Sequence, residues 1–153
     1  EGEGIRVLES PLFLSQIMPP KGVLTRRSPT PEQWEDIRIG FETAKEVGRL
    51  GVGQTVVVKN RVVLAIEAVE GTDAAIRRGG VLGKKGFVVV KVSKPQQDLR
   101  FDVPAVGVDT IRILSELKGA VLAIEAGKTI LLEKEELLGE ADRKGIVVAA
   151  VTY

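Results

Sequence analysis

The sequence predicts an α/β domain built on a mixed sheet. Two observations carry that prediction. Short β-branched runs alternate with amphipathic, capped helical stretches along nearly the whole chain. Two of the runs, Thr55–Lys59 and Val62–Ile66, are separated only by Asn60-Arg61, a hairpin spacing that forces one antiparallel pair into the sheet.

Taken in order, the chain opens on Glu1-Gly2-Glu3-Gly4, which offers nothing to pack and reads as a linker or chain edge. Ile5 to Leu8 suits a short strand. Ser10-Pro11 places a capping residue before proline at the first helical position, and Pro19-Pro20 stops the helix so begun. Its Leu12, Phe13, Leu14 and Ile17 favour core or dimer contact over a membrane foot. Gly22 to Arg27 is polar and reads as a connection, with Arg26-Arg27 on the surface. Residues 1–29 are accordingly expected as linker and connecting segment, and 30–153 as the domain proper.

Thr30-Pro31-Glu32-Gln33 is a capping box with proline at the first helical position. Trp34, Ile37, Phe41, Ala44 and Val47 follow at helical spacing and make one buried stripe, and Gly48, Gly51 and Gly53 mark the end. After the hairpin, Gly71-Thr72-Asp73 is expected to cap a short helix over 74–78. Gly79 to Gly86 reads as a turn, and Phe87 to Val92 as a buried strand. Asp109-Thr110 is expected to cap a helix over 111–118. Strands are expected at Ala120–Glu125 and Thr129–Leu132, a helix at Lys134–Arg143, and a closing strand at Ile146–Val151. Val63–Ala68 and Val121–Ala126 are the same hexapeptide, Val-Leu-Ala-Ile-Glu-Ala, which puts Glu67 and Glu125 at equivalent strand ends.

Composition excludes several chemistries. The 153 residues suit one domain with a proper core, and 44% hydrophobic with 28% charged residues is ordinary for a globular protein. Without histidine or cysteine there is no Ser-His-Asp triad, no thiol nucleophile, no disulfide and no ordinary zinc site. Polar chemistry must rest on carboxylates, Lys and Arg, and a metal must be a hard one such as Mg²⁺ or Mn²⁺. A net charge of +1, with one Trp and one Tyr, gives no reason to expect nucleic acid. No apolar run reaches the roughly 20 residues that span a bilayer, and no signal peptide opens the chain. The expected location is the cytoplasm.

The stretch with the densest chemistry is Lys91 to Pro104. Pro95 and Pro104 stiffen it, and it carries Lys94, Gln97, Asp98, Arg100 and Asp102 at the end of a buried strand. A solvated ion-pair cluster of Asp98, Arg100 and Asp102 is the competing interpretation. A second focus is Gly71-Thr72-Asp73, where free helix N–H groups suit a phosphate oxygen. Glu70 and Asp73 would repel an anion there unless a cation lies between them. Glu67, Glu70 and Asp73 thereby become candidate metal ligands.

Three blocks, in order, resemble one family: Ala65-Ile66-Glu67-Ala68-Val69-Glu70-Gly71-Thr72-Asp73-Ala74, then Lys94-Pro95 with Gln97 to Gly107, then Glu125 to Thr129. The family is the metal-dependent UDP-2,3-diacylglucosamine pyrophosphatases of lipid A biosynthesis. The likeness covers essentially this whole chain but only the C-terminal half of the family's proteins, whose N-terminal Rossmann-like half has no counterpart here. The resemblance implies hydrolysis of UDP-2,3-diacylglucosamine to 2,3-diacylglucosamine 1-phosphate and UMP, by Mg²⁺-assisted attack of water on the α-phosphorus. It also implies a homodimer and a lipid held between the family's two domains. Transient contact with the inner membrane surface belongs to the expected cytoplasmic location instead.

Carried onto this chain, the resemblance puts the essential aspartate in the Gln97–Asp102 run, with Asp98 first and Asp102 second. Arg100 and Lys94 are expected to stabilise phosphoryl charge, and Gly71, Thr72, Gln97, Lys91 and Lys59 to contact substrate. Two other readings stay open: a non-catalytic lipid- or nucleotide-binding module, and a dimerisation domain latched by Asp98 and Arg100.

Overall fold

The computed structural model describes residues 17–153. The strand expected at 5–8, and nearly all of the helix expected from Ser10, lie outside the described residues. Eight strands and four helices follow: β1 (Gly22–Val23), α1 (Pro31–Arg49), β2 (Thr55–Lys59), β3 (Val62–Ile66), α2 (Thr72–Gly83), β4 (Val88–Lys91), β5 (Ala105–Val106), α3 (Val108–Glu116), β6 (Val121–Glu125), β7 (Ile130–Leu131), α4 (Lys134–Lys144) and β8 (Val147–Val151).

Six strands form one mixed sheet in the order β1-β8-β6-β4-β2-β3, with β4, β6 and β8 parallel. β2 runs antiparallel to both β4 and β3. β3, β4, β6 and β8 therefore share one direction, and their carboxyl ends lie along one edge. Every residue of β4, β6 and β8 is buried, as expected for strands covered on both faces. One face packs Ile37, Phe41 and Ala44 of α1 against Val56, Val58, Val88, Val90 and Ala123. The other packs Ile76, Ile111, Ile113, Leu114, Leu137 and Ala141 of α2, α3 and α4 against Val57, Val89, Leu122 and Val148. The result is three layers, helix, sheet and helices, as the sequence predicts.

The capping box is present. Thr30 Oγ1 accepts from the Gln33 amide at 3.2 Å, and Gln33 Oε1 accepts from the Thr30 amide at 2.9 Å. The hairpin is present too, with Asn60 at φ 50° and Arg61 at φ 64°. Arginine in that conformation is costly, and buried Asp36 of α1 offsets the cost. Its two carboxylate oxygens accept the Asn60 amide at 3.1 Å and the Arg61 amide at 2.7 Å.

Several elements differ from expectation. α2 does not stop at Arg78 but continues through the glycines to Gly83. Those glycines are a packing surface: a Cβ on Gly79 would lie 2.6 Å from Val57 Cβ, and one on Gly80 2.8 Å from Leu117 Cδ1. Neither helix near the candidate site is capped by a side chain. α2 begins at Gly71 and α3 at Gly107, ahead of the Asp109-Thr110 pair expected to do the capping. Gly22–Val23, expected as a polar connection, is an edge strand on β8. The 129–132 strand shrinks to Ile130–Leu131 and pairs in parallel with β5 as a separate two-stranded sheet.

Candidate functional site

The carboxyl edge of the sheet holds a cavity of about 490 Å³. Its walls are the start of α2 (Glu70, Gly71, Thr72, Asp73), the end of β4 (Lys91), Ala105 of β5, and the start of α3 (Gly107, Asp109, Thr110). A crevice outside the carboxyl ends of strands is where α/β sheets usually bind ligands.

Two helix N-termini meet here. The first amides of any helix have no acceptor within the helix, and neither Gly71 nor Gly107 brings a side chain to satisfy them. Gly71 sits at φ 90°, ψ 171°, a conformation open essentially only to glycine. Between the helices stands Lys91, 9% exposed, whose ammonium donates to Ala105 O at 3.0 Å. Burial pushes this lysine below its usual range, opposed by the charges of Glu67, Asp73 and Asp102. Two uncapped helix starts and a buried cation are groups whose chemistry suits oxyanions. Glu70, Asp73 and Asp109 supply negative charge around the same space.

Beneath the cavity runs a polar network. Thr72 Oγ1 donates to Glu67 Oε1 at 3.2 Å and lies 3.4 Å from Thr55 Oγ1. Glu67 also accepts the Gln54 amide at 3.3 Å. The repeated hexapeptide therefore places the same device twice. Glu125, at the end of β6, likewise accepts an amide just beyond the neighbouring strand, that of Ser93 at 2.8 Å.

Of the residues expected from sequence, the structure gathers Glu70, Gly71, Thr72, Asp73 and Lys91 in one cavity, with Glu67 bonded to its floor. Asp98, Arg100, Gln97 and Asp102 stand on the loop over 92–104, which leaves the cavity wall at Lys91 and returns to it at Ala105. There Asp98 grips Arg100: Nη2 donates to Oδ2 at 2.7 Å, Nε to Oδ1 at 2.9 Å, and the Arg100 amide to Oδ1 at 3.0 Å. This pairing holds the exposed Asp98 carboxyl below the usual aspartate range. Gln97 Nε2 donates to Asp102 at 2.9 Å, and Gln97 Oε1 accepts the Lys94 amide at 3.0 Å.

Lys59 stands apart from the site. Its ammonium donates to Gly83 O at 2.8 Å, at the far end of 12-residue α2, roughly 16 Å along the helix from the cavity. Lys94 belongs to the loop and packs toward Gly48 of α1. Glu67, Glu70 and Asp73 do not form a ready-made ligand set. Glu70 is bound to Arg78 at 2.6 Å, which with backbone bonds depresses its carboxyl. Among the described residues, no three carboxylates converge as an ion would need. The donors around the cavity fit a hard cation only in the sparser manner of Mg²⁺, with one or two carboxylates and the rest of the shell from phosphate oxygens and water.

Sequence reasoning missed Ala105, Gly107, Asp109 and Thr110 as cavity residues. The usable signal was Gly107 itself, a helix start with no capping side chain.

Fold and cavity together define an α/β domain with a polar cleft at the strand carboxyl ends. The chain belongs to the LpxI C-terminal domain family, which matches residues 20–149. It is 35% identical over 159 residues to a Caulobacter vibrioides protein named UDP-2,3-diacylglucosamine pyrophosphatase LpxI. That match takes in 99% of this chain and 57% of the relative, so the chain spans little more than half of the relative's length. No described helix is long and apolar enough to cross a membrane.

Proposed function

We infer that this chain is the diphosphate-handling part of an enzyme that hydrolyses UDP-2,3-diacylglucosamine. The observation that carries the reading is the meeting of two uncapped helix starts and Lys91 in one cavity, in a chain similar to the Caulobacter vibrioides pyrophosphatase. A diphosphate has the charge and the acceptors to satisfy these donors, which neither an apolar ligand nor a neutral sugar would.

In the reaction, water adds to the α-phosphorus while the bond from that phosphorus to the bridging oxygen breaks. The water oxygen stays on UMP, and 2,3-diacylglucosamine 1-phosphate leaves with the bridging oxygen. Lys91 and the amides of Thr72, Asp73, Val108 and Asp109 stabilise charge on the phosphoryl oxygens as it redistributes. Asp98 takes the water's proton; its carboxylate is kept ionised by Arg100 and rides on a loop rooted in the cavity wall. Asp102 stands second in this role. Asp73, together with phosphate oxygens and water, would hold a Mg²⁺ ion, which would supply Lewis-acid polarisation of the phosphate; Asp109 could join it only by releasing Arg112, to which it is paired at 2.7 Å. The lipid acyl chains and the remaining cleft wall fall to parts of the enzyme beyond this chain, and a homodimer fits the same reading.

Turnover of UDP-2,3-diacylglucosamine by the full-length enzyme, with and without Mg²⁺ and with Asp98→Ala, tests the reading. Substrate binding retained with turnover lost supports it. Unchanged turnover in Asp98→Ala contradicts the role of Asp98, and dissociation of a dimer by that variant favours the latch.

A further inference from the structure

The loop over 92–104 has two roots. The second, Ala105, is tied by Lys91 in the cavity itself. The first, Ser93, is held by residues that line no part of the cavity. The β4–β6 ladder ends at the Lys91–Ile124 pair, and the following Val92 amide turns to the other side, donating to Gln54 O at 3.0 Å, so the next amide on the β6 side, that of Ser93, needs an acceptor beyond the ladder. Glu125, 4% exposed at the end of β6, supplies it by accepting Ser93 N–H on Oε2 at 2.8 Å. The same Oε2 accepts from Lys45 Nζ of α1 at 2.7 Å, and Lys45 Nζ also donates to Ser93 O at 2.8 Å. One ion pair thus holds both backbone groups of a single residue. Lys128 Nζ lies 3.5 Å from the other Glu125 oxygen.

The last turn of α1 completes the mounting. Gln96 Nε2 donates to Gly48 O at 2.8 Å, and a Cβ on Gly48 would lie 3.4 Å from Lys94 Cα. The loop therefore rests on α1, from the opposite face of the sheet to α2 and α3. A desolvated ion pair is a poor way to gain stability, since removing two charges from water offsets most of their attraction. It is an effective way to fix a geometry, because its partners tolerate little displacement.

We propose that Glu125 and Lys45 are positioning residues which clamp Ser93 and thereby set where the 94–103 loop, with Asp98, stands relative to the cavity at the starts of α2 and α3. This rests on the functional reading above for its effect on turnover, but not for the clamp itself.

The test has two arms, applied to Glu125→Ala, Lys45→Met and the conservative Glu125→Gln, which keeps an oxygen for Ser93. The first is amide hydrogen exchange. Glu125→Ala and Lys45→Met are expected to accelerate exchange across 94–103 by tenfold or more, leaving 121–124 and 147–151 unchanged, with Glu125→Gln intermediate. The second is steady-state hydrolysis of UDP-2,3-diacylglucosamine by the full-length enzyme. Here kcat falls tenfold or more, KM stays within about twofold, and Glu125→Gln recovers part of the loss. Unchanged loop exchange overturns the clamp. Faster loop exchange with unchanged kcat overturns its role in positioning, as does a loss shared equally by kcat and nucleotide affinity. Should the unsubstituted enzyme show no hydrolysis, the functional reading fails while the exchange arm still decides the clamp.

Discussion

Lys91 and Ala105 lie 14 residues apart and close on each other through a 3.0 Å hydrogen bond, ammonium to carbonyl. That bond joins the two ends of the loop carrying Asp98, Arg100 and Asp102. It also places the one buried lysine of the site between the starts of α2 and α3. The loop and the cavity are therefore one mechanical unit, and each prediction below probes a different part of it.

Lys91 should leave a signature in the pH dependence of stability. Burial lowers its folded-state value below the ordinary 10.5. Between that lowered value and 10.5, the unfolded chain binds a proton that the folded chain releases, so stability rises as pH climbs through the window. Below the folded value, the buried charge costs stability throughout. Urea unfolding of Lys91→Met should lack this rise as pH climbs toward 10.5, and the difference from the parent protein isolates Lys91. The same variant should lose affinity for pyrophosphate by about tenfold or more, the scale of one charge-assisted contact.

Gly107 offers a trade between stability and function. Its φ of −113° suits any residue, and a Cβ there meets nothing within 4 Å. Gly107→Ser should cap α3 and stabilise the fold by a few tenths of a kcal/mol, about the Ser-over-Gly margin at such positions. By satisfying amides that the proposed function gives to phosphate oxygens, it should weaken phosphate binding. Thermal unfolding and calorimetric titration with pyrophosphate measure the two effects. Gly71→Ala, by contrast, should cost about 1–3 kcal/mol, because φ of 90° strains any side chain.

The Asp36 carboxylate and the 60–61 turn form a stability test remote from the site. Asp36→Ala removes the acceptor of two turn amides and should destabilise by about 2–3 kcal/mol, the range of bonds to charged groups. Arg61→Gly should stabilise by about 1 kcal/mol by relieving the left-handed strain. Turnover should change in neither.

Asp98 should behave differently from these structural residues. Its pairing with Arg100 is exposed, so Asp98→Ala should leave the melting temperature nearly unchanged while lowering kcat by about 10²-fold or more, the scale of a lost general base. Since Arg100 holds the carboxyl below its usual range, Asp98 stays ionised through mildly acid pH. The rate should therefore not fall at pH 5 on account of Asp98. In Arg100→Met the acid limb should move upward toward the ordinary aspartate value.

Much of the fold was legible because its signals are local. The Thr30–Gln33 box sets the start of α1, and the two-residue Asn60-Arg61 spacing marks the hairpin, although the carboxylate of Asp36 that braces the turn is 24 residues away and was not legible. The repeated hexapeptide put Glu67 and Glu125 at strand ends, where each receives an amide from just outside the neighbouring strand. What escaped depends on long-range packing. Gly79, Gly80 and Gly83 read as a turn by propensity, yet α2 keeps them because Val57, Leu117 and Phe87 leave no room for a Cβ. Asp109 and Thr110 passed for a cap, although Gly107 starts the helix and leaves its first amides without a capping side chain. Lys59 resembled Lys91 in sequence, each a lysine ending a valine run. Only the strand directions show that they lie at opposite edges of the sheet.

The central claim is that the starts of α2 and α3, with Lys91, grip a diphosphate. Amide chemical shifts of the isotopically labelled chain, titrated with UDP and separately with uridine, test it most directly. The account predicts that UDP moves the amides of Thr72, Asp73, Val108 and Asp109 together, with one affinity, and that uridine leaves them still. UDP shifts confined to other surfaces, or equal responses to uridine and UDP, would contradict it.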